Sequence, residues 1–314
     1  MTAPAVVALG GGHGLAASLG ALRHLTDRLT AVVTVSDDGG SSGRLRRELG
    51  VLPPGDMRMA LAALCADGDW GRTWRDVLQH RFASHGELHN HAVGNLLIVA
   101  LWELLGDTVE GLDWVGRLLG ARGRVLPMAA EPLTIEALVL GLDPDNPSEP
   151  TTVRGQAAVA STRGHVASVR LVPDQPLACE EAVAAVEDAD WVVLGPGSWF
   201  TSVMPHLLVP RLREAVCLTS ARRMVTLNLP AQDAETHGFT AENHLEALLL
   251  HAPDLTVDVV MADPAAVGDE CALSQVCETL GARLVVSEVA DPAHAGVHDP
   301  LRLAAAYRDV IMAR

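Results

Sequence analysis

The chain has 314 residues, 49% of them hydrophobic and 20% charged, a globular composition long enough to bury a full core as one large domain or two modest ones. Its 23 basic and 39 acidic residues leave a formal charge of −16, which argues against extended nucleic-acid backbone binding, although helix N-termini and local arginines can still hold an anion. No apolar run reaches the roughly 18 residues of a membrane helix, and Met1-Thr2-Ala3-Pro4 leads straight into a strand, so a cytoplasmic protein with no membrane or nucleic-acid partner is expected.

Taken in order, Pro4–Leu9 predicts a short buried strand, followed by Gly10-Gly11-Gly12-His13-Gly14 and an amphipathic helix to about Arg28. Thr30–Val35 predicts a second strand, running into Ser36-Asp37-Asp38-Gly39-Gly40-Ser41-Ser42-Gly43-Arg44. From Asp56 to about Ala121 apolar residues recur at helical spacing, which reads as a helical insertion over 56–122. Arg124–Met128, Leu133–Leu142, Thr152–Ala160 and His165–Leu171 read as short strands of a small β section over 124–172 that need not join the main sheet. Strand–helix alternation then returns, with strands at Trp191–Leu194, Met224–Asn228, Val257–Met261 and Arg283–Val286 and a last helix from Pro300. The whole, 1–314, reads as a single Rossmann-like, doubly wound α/β domain on a mainly parallel sheet, with the helical and small β sections inserted.

Several strands end in chemistry unsuited to a core. The loop at 10–14 offers consecutive backbone N–H groups at a helix N-terminus, a phosphate-binding geometry, or else a tight turn that only packs helix on sheet. Gly12-x-Gly14-x-x-Ala17, with Asp37 some twenty residues on, also meets the loose dinucleotide fingerprint. Asp37 and Asp38 could hold Mg²⁺, a sugar hydroxyl or a proton in catalysis, or could cap a solvated turn. Gly195-Pro196-Gly197-Ser198 repeats the strand-to-glycine pattern, with Ser198 set to cap the next helix. His85, His89 and His91 lie close in sequence, but Gly86 interrupts any shared helical face, so a metal is not expected there. The five cysteines lack C-x-x-C spacing and read as reduced thiols.

Gly-Gly-Gly-His-Gly at 10–14, Val-Ser-Asp-Asp-Gly-Gly-Ser-Ser-Gly-Arg-Leu-Arg at 35–46 and Pro-Pro-Gly-Asp-Met-Arg at 53–58 resemble the YvcK-type gluconeogenesis factors of the 2-phospho-L-lactate transferase (CofD-like) superfamily. So do Gly-Asn-Leu-Leu at 94–97, Leu-Gly-Pro-Gly-Ser at 194–198 and Thr-Ser-Val-Met-Pro at 201–205. The resemblance departs at Met59, over Ala231–Phe239, at Ala262-Asp263 and at Val297. It implies a cytoplasmic regulator that binds UDP-N-acetylglucosamine and links carbon metabolism to cell-wall synthesis and cell shape. A protein partner would go with such a role; a homo-oligomer is left open. The alternative is a metal-dependent phospho-transferase with Asp37 or Asp38 on Mg²⁺.

The expected ligand-binding residues follow. Gly11, Gly12, His13 and Gly14, with Gly195, Gly197 and Ser198, would take a diphosphate. Asp37, Asp38, Ser41 and Ser42 would hold hydroxyls or a cation. Arg44 and Arg58 would pair with phosphate, Asn95 would reach the ligand from a helix start, and Asn228 would border base or sugar.

Overall fold

A computed structural model describes residues 3–230 and 234–313. Strand β1 (Val6–Gly10) leads into helix α1 (Gly12–Leu22), and β2 (Leu29–Val33) into α2 (Gly40–Leu49). Four helices follow: α3 (Gly55–Leu64), α4 (Asp69–Gln79), α5 (Val93–Leu105) and α6 (Thr108–Leu119). After β3 (Arg124–Pro127) come β4 (Thr134–Leu140), β5 (Thr151–Arg154), the short α7 (Gln156–Ala160) and β6 (His165–Val172). The second half runs α8 (Glu180–Glu187), β7 (Trp191–Leu194), a π-helical turn (Trp199–Val203), α9 (Met204–Leu207), α10 (Pro210–Leu218), β8 (Arg222–Thr226) and α11 (Ala241–His251). It closes with β9 (Val259–Ala262), α12 (Glu270–Thr279), β10 (Arg283–Val286) and α13 (Pro300–Ile311).

Among the described residues the main sheet has seven strands in the order β10-β9-β8-β7-β1-β2-β3, all parallel. Every residue of β1 and β7 is buried, as strands covered on both faces must be, which is why they read as unbroken apolar runs. The chain leaves β1 towards β2 and β3, then returns to lay β7 on the other side of β1. The strand order therefore reverses between β1 and β7, and the crevice beyond their carboxyl ends is the ligand position of such sheets. Residues 134–172 supply a separate antiparallel sheet, β5-β4-β6.

Four expectations are corrected. Arg124–Pro127 joins the main sheet, pairing in parallel with β2. The Gly-Gly-Ser-Ser stretch that follows the second strand starts a helix, α2, although helical spacing after that strand was expected only from Asp56. The strand expected over Thr152–Ala160 stops at Arg154, because Gly155 takes φ +99° and the Asp38 carboxylate then accepts the Ala157 N–H (3.0 Å), capping α7. Helix α1 ends at Leu22 instead of running on to Arg28. Among the described residues no helix is long and apolar enough to cross a membrane, and all five cysteines are free.

Candidate ligand-binding cleft at the strand-order reversal

Where β1 and β7 end, two glycine turns meet backbone to backbone. A Cβ on Gly14 would lie 2.3 Å from the Pro196 carbonyl oxygen and 2.5 Å from the Gly197 Cα, so only glycine lets α1 come this close. Gly12, at φ +56°, has open space where its Cβ would be. Gly11, the residue before α1, offers no side-chain cap, so the first-turn N–H groups of that helix are left to other partners. One of them is claimed: the Gly12 N–H bonds the Asp56 carboxyl.

The second turn is held from three sides. The Gly195 N–H donates to the Leu9 carbonyl (3.2 Å), and Ser18 Oγ donates to the Gly195 carbonyl (3.0 Å). Asn228 clamps Gly197 at both backbone groups, its Oδ1 accepting the N–H (2.8 Å) and its Nδ2 donating to the carbonyl (2.9 Å). Ser198 does not cap the turn that follows. Its Oγ donates to Glu235 Oε1 (2.7 Å), and that buried carboxylate also accepts the Phe200 N–H (3.1 Å). The protein thus places a carboxyl at both helical starts, Asp56 on the Gly12 N–H and Glu235 on the Phe200 N–H, and at α1 the His13 and Gly14 N–H groups are left beside the cleft.

These turns form one wall of a cleft of about 320 Å³. Gly11, Gly12, His13, Gly14, Gly197, Ser198 and Asn228, all expected from the sequence, line it together with Asp56, Gln156, Pro196, Ser202, Leu229, Gly296 and His298. A second cavity of about 550 Å³ shares Asn228 and Leu229 with it and is more apolar, with Phe239, Pro230, Ala265 and Ala266 in its wall beside Thr240, Glu242 and His244. Ala231, Gln232 and Asp233, which open the 231–239 stretch where the resemblance departs, lie outside the described residues.

Of the other expected residues, Ser41, Ser42, Arg58, Asn95, Arg44 and Asp38 are not among those that line the cleft, while Asp37 neighbours the cleft-lining Asp56. Ser41 Oγ meets His91 Nδ1 (3.0 Å) and accepts from Asn95 Nδ2 (3.0 Å), while Asn95 Oδ1 accepts from Arg58 Nε (2.9 Å). Ser42 is buried against Gly55, whose added Cβ would lie 2.3 Å from its Oγ. Ser41, Ser42, Arg58 and Asn95 are thus joined in a buried polar layer, and burial pulls the Arg58 guanidinium down to about 10. Arg44 is half-buried and donates to the Glu87 (3.1 Å) and His89 (2.8 Å) carbonyls, tying down the histidine loop. Asp38 is turned to α7, as described above.

Asp56, within Pro-Pro-Gly-Asp-Met-Arg at 53–58, lines the cleft without having been among the residues expected there. Its carboxyl accepts from Thr34 Oγ1 (3.0 Å) and the Gly12 N–H, yet burial and the nearby Asp37 charge push it up to about 6. His298 is a second such residue: its ring is buried, its Nε2 has no hydrogen-bond partner, and burial lowers it to about 4, so it is neutral at pH 7. Both depend on contacts across the fold that no local pattern announces. For a cation, Asp37 and Asp56 offer two neighbouring carboxyls, and no group of three or more metal-ligating side chains occurs among the described residues. That donor set fits Mg²⁺ only where phosphate oxygens and water complete the shell.

A family model described as 2-phospho-L-lactate transferase CofD matches residues 6–288. The chain belongs to the CofD family. It is 54% identical over 304 residues to a protein of Mycobacterium tuberculosis (strain H37Rv) named as a gluconeogenesis factor, covering 96% of this chain and 88% of that protein. It is 35% identical over 267 residues to the gluconeogenesis factor of Bacillus subtilis (strain 168), covering 85% and 81% respectively. The crystal structure of a UPF0052-family protein from Bacillus halodurans superposes with a TM-score of 0.86 at 30% identity, covering 100% of both chains. Fold and family therefore stand as the sequence motifs implied, and the gluconeogenesis factors are the branch of the family in which this chain sits.

Proposed function

We infer that this member of the CofD family is a regulatory nucleotide-sugar-binding protein whose ligand is UDP-N-acetylglucosamine. The observation that carries the reading is the N-terminus of α1, where Gly11 supplies no side-chain cap and the His13 and Gly14 N–H groups are left beside the cleft where two glycine turns meet. The diphosphate sits there on the His13 and Gly14 N–H groups, and the flatter, more apolar parts of the ligand extend past Asn228 into the larger neighbouring cavity. Relatives named as gluconeogenesis factors support a role in carbon metabolism. The extension to cell-wall synthesis and cell shape, a cytoplasmic setting and a protein partner complete the proposal.

Titration calorimetry with UDP-N-acetylglucosamine on the wild type and on Gly12→Asp tests it. The Gly12 Cβ position is open and aspartate tolerates positive φ, so the variant folds and sets a carboxylate at the phosphate position. Binding by the wild type with a loss of at least about 30-fold in the variant is expected, the scale of a buried like-charge contact. Equal affinity in the two proteins removes the phosphate role of this turn.

A further inference from the structure

The only tyrosine of the chain, Tyr307 on α13, is fully buried behind the second glycine turn. Its hydroxyl lies 2.8 Å from Ser18 Oγ on α1 and 3.0 Å from Thr226 Oγ1 at the end of β8. The proton order in this chain of hydroxyls is fixed by its last member. The Gly195 carbonyl can only accept, so the single Ser18 proton goes to it. Ser18 must then accept from Tyr307, and Tyr307 in turn accepts from Thr226. Burial raises the phenol to about 12, so it remains a donor at any working pH.

Stability accounts for one end of this arrangement, because the Ser18 proton satisfies the buried Gly195 carbonyl. Beyond it, Tyr307 and Thr226 could be replaced by apolar groups of similar shape at little net loss, so a purely structural core has no need of their hydroxyls. What the chain of hydroxyls does have is a direction and an end point, the carbonyl of the turn whose next residues, Pro196 and Gly197, touch Gly14 and line the cleft. At its other end α13 begins just after the cleft-lining His298, with Asp299 capping it through the Leu301 (2.8 Å) and Arg302 (2.9 Å) N–H groups. The C-terminal helix is therefore tied to the cleft at two separate points.

We propose that Tyr307 is a positioning residue for the phosphate-binding turn, acting through Ser18 on the Gly195 carbonyl, so that the ordered hydroxyl chain Thr226–Tyr307–Ser18 holds Gly197 in line with the N-terminus of α1. This rests on the phosphate reading of the cleft given above. The direction of the chain makes its members unequal. Ser18→Ala removes the contact to the turn, Tyr307→Phe leaves Ser18 without a donor to orient it, and Thr226→Val takes away only a proton that Tyr307 accepts.

Amide hydrogen exchange on the ligand-free full chain reads the positioning directly. Ser18→Ala and Tyr307→Phe should speed exchange at Gly195 and Gly197 by about tenfold relative to Val7–Leu9 of β1, and Thr226→Val by less than about threefold. The double variant Ser18→Ala/Tyr307→Phe should go no further than Ser18→Ala, because the two act in series. Titration with UDP-N-acetylglucosamine and with inorganic pyrophosphate should weaken in the same rank order. A uniform rise across β1 and the turn, no change in Tyr307→Phe, or additive effects in the double variant would each overturn the proposal. If Tyr307→Phe does not fold, Ser18→Ala carries the same comparison. A wild type that binds neither probe while the exchange pattern holds overturns the phosphate reading and leaves the hold on the turn established.

Discussion

The glycines at 10–14 and those at 39–43 read alike in the sequence, each a strand running into glycines and then a helix. In the fold, at the same edge of one parallel sheet, they meet different neighbours. Around Gly14 the close neighbour is the backbone of another turn, and the helix start beside it is left open to a cleft. Around Gly43 the close neighbour is the Asp38 carbonyl, 1.9 Å from where a Cβ would sit, and the first turn of α2 is closed by a buried layer of Ser41, Asn95, Arg58 and His91. A glycine at a strand end thus reports that something approaches closely. Whether that something is ligand, backbone or side chain is decided by residues far away in the chain.

The sharpest way to break this contrast is to add a methyl at each glycine. Gly14→Ala and Gly43→Ala should each lose about 3 kcal/mol in urea unfolding, the upper end for overpacking against backbone, but only Gly14→Ala should also lose ligand affinity in the protein that remains folded. Equal affinity losses would mean that both turns face the ligand. Ser41→Ala leaves the buried Asn95 amide short of a partner and should cost about 2 kcal/mol with ligand affinity unchanged within about twofold. A large affinity loss there would return Ser41 to the ligand site.

Asp56 shows the reverse sign. Its pKa of about 6 in the fold is above the ordinary 3.8, so above pH 6 the ionised carboxyl opposes folding, and this opposition fades as pH falls from 6 towards 3.8. Asp56→Asn keeps an acceptor for Thr34 and should be more stable than wild type by about 1–2 kcal/mol at pH 7.5, a figure reduced because the side chain borders the open cleft. The gain should vanish by about pH 4; paired denaturation curves across that range check it, and a variant destabilised at pH 7.5 contradicts it. The smallest effect belongs to Arg44. Arg44→Ala, which loses only two surface bonds to loop carbonyls, should change stability by less than about 0.5 kcal/mol and leave binding unaltered.

The parallel sheet was legible because its strands are buried on both faces and therefore carry unbroken apolar runs, as in Val6–Gly10 and Trp191–Leu194. The two glycine turns of the cleft were legible for the same reason, as abrupt endings of those runs. The polar residues were harder to sort. Ser41, Arg58 and Asn95 carry the same chemistry as a sugar or phosphate site, and only their mutual distances reveal a buried layer. Asp56 and His298 reach the cleft from segments 44 and more residues away from the Gly12 turn, so no spacing could pair them with it. The strand that became α7 turned on one long-range cap, Asp38 on Ala157.

The central claim is that the N-terminus of α1, and not that of α2, receives the phosphates. A crystal structure of the full chain soaked with UDP-N-acetylglucosamine tests it most directly. Diphosphate density is expected against the His13 and Gly14 N–H groups, with the rest of the ligand running past Asn228 towards Phe239. Diphosphate density against Ser41 and Ser42 instead would contradict it.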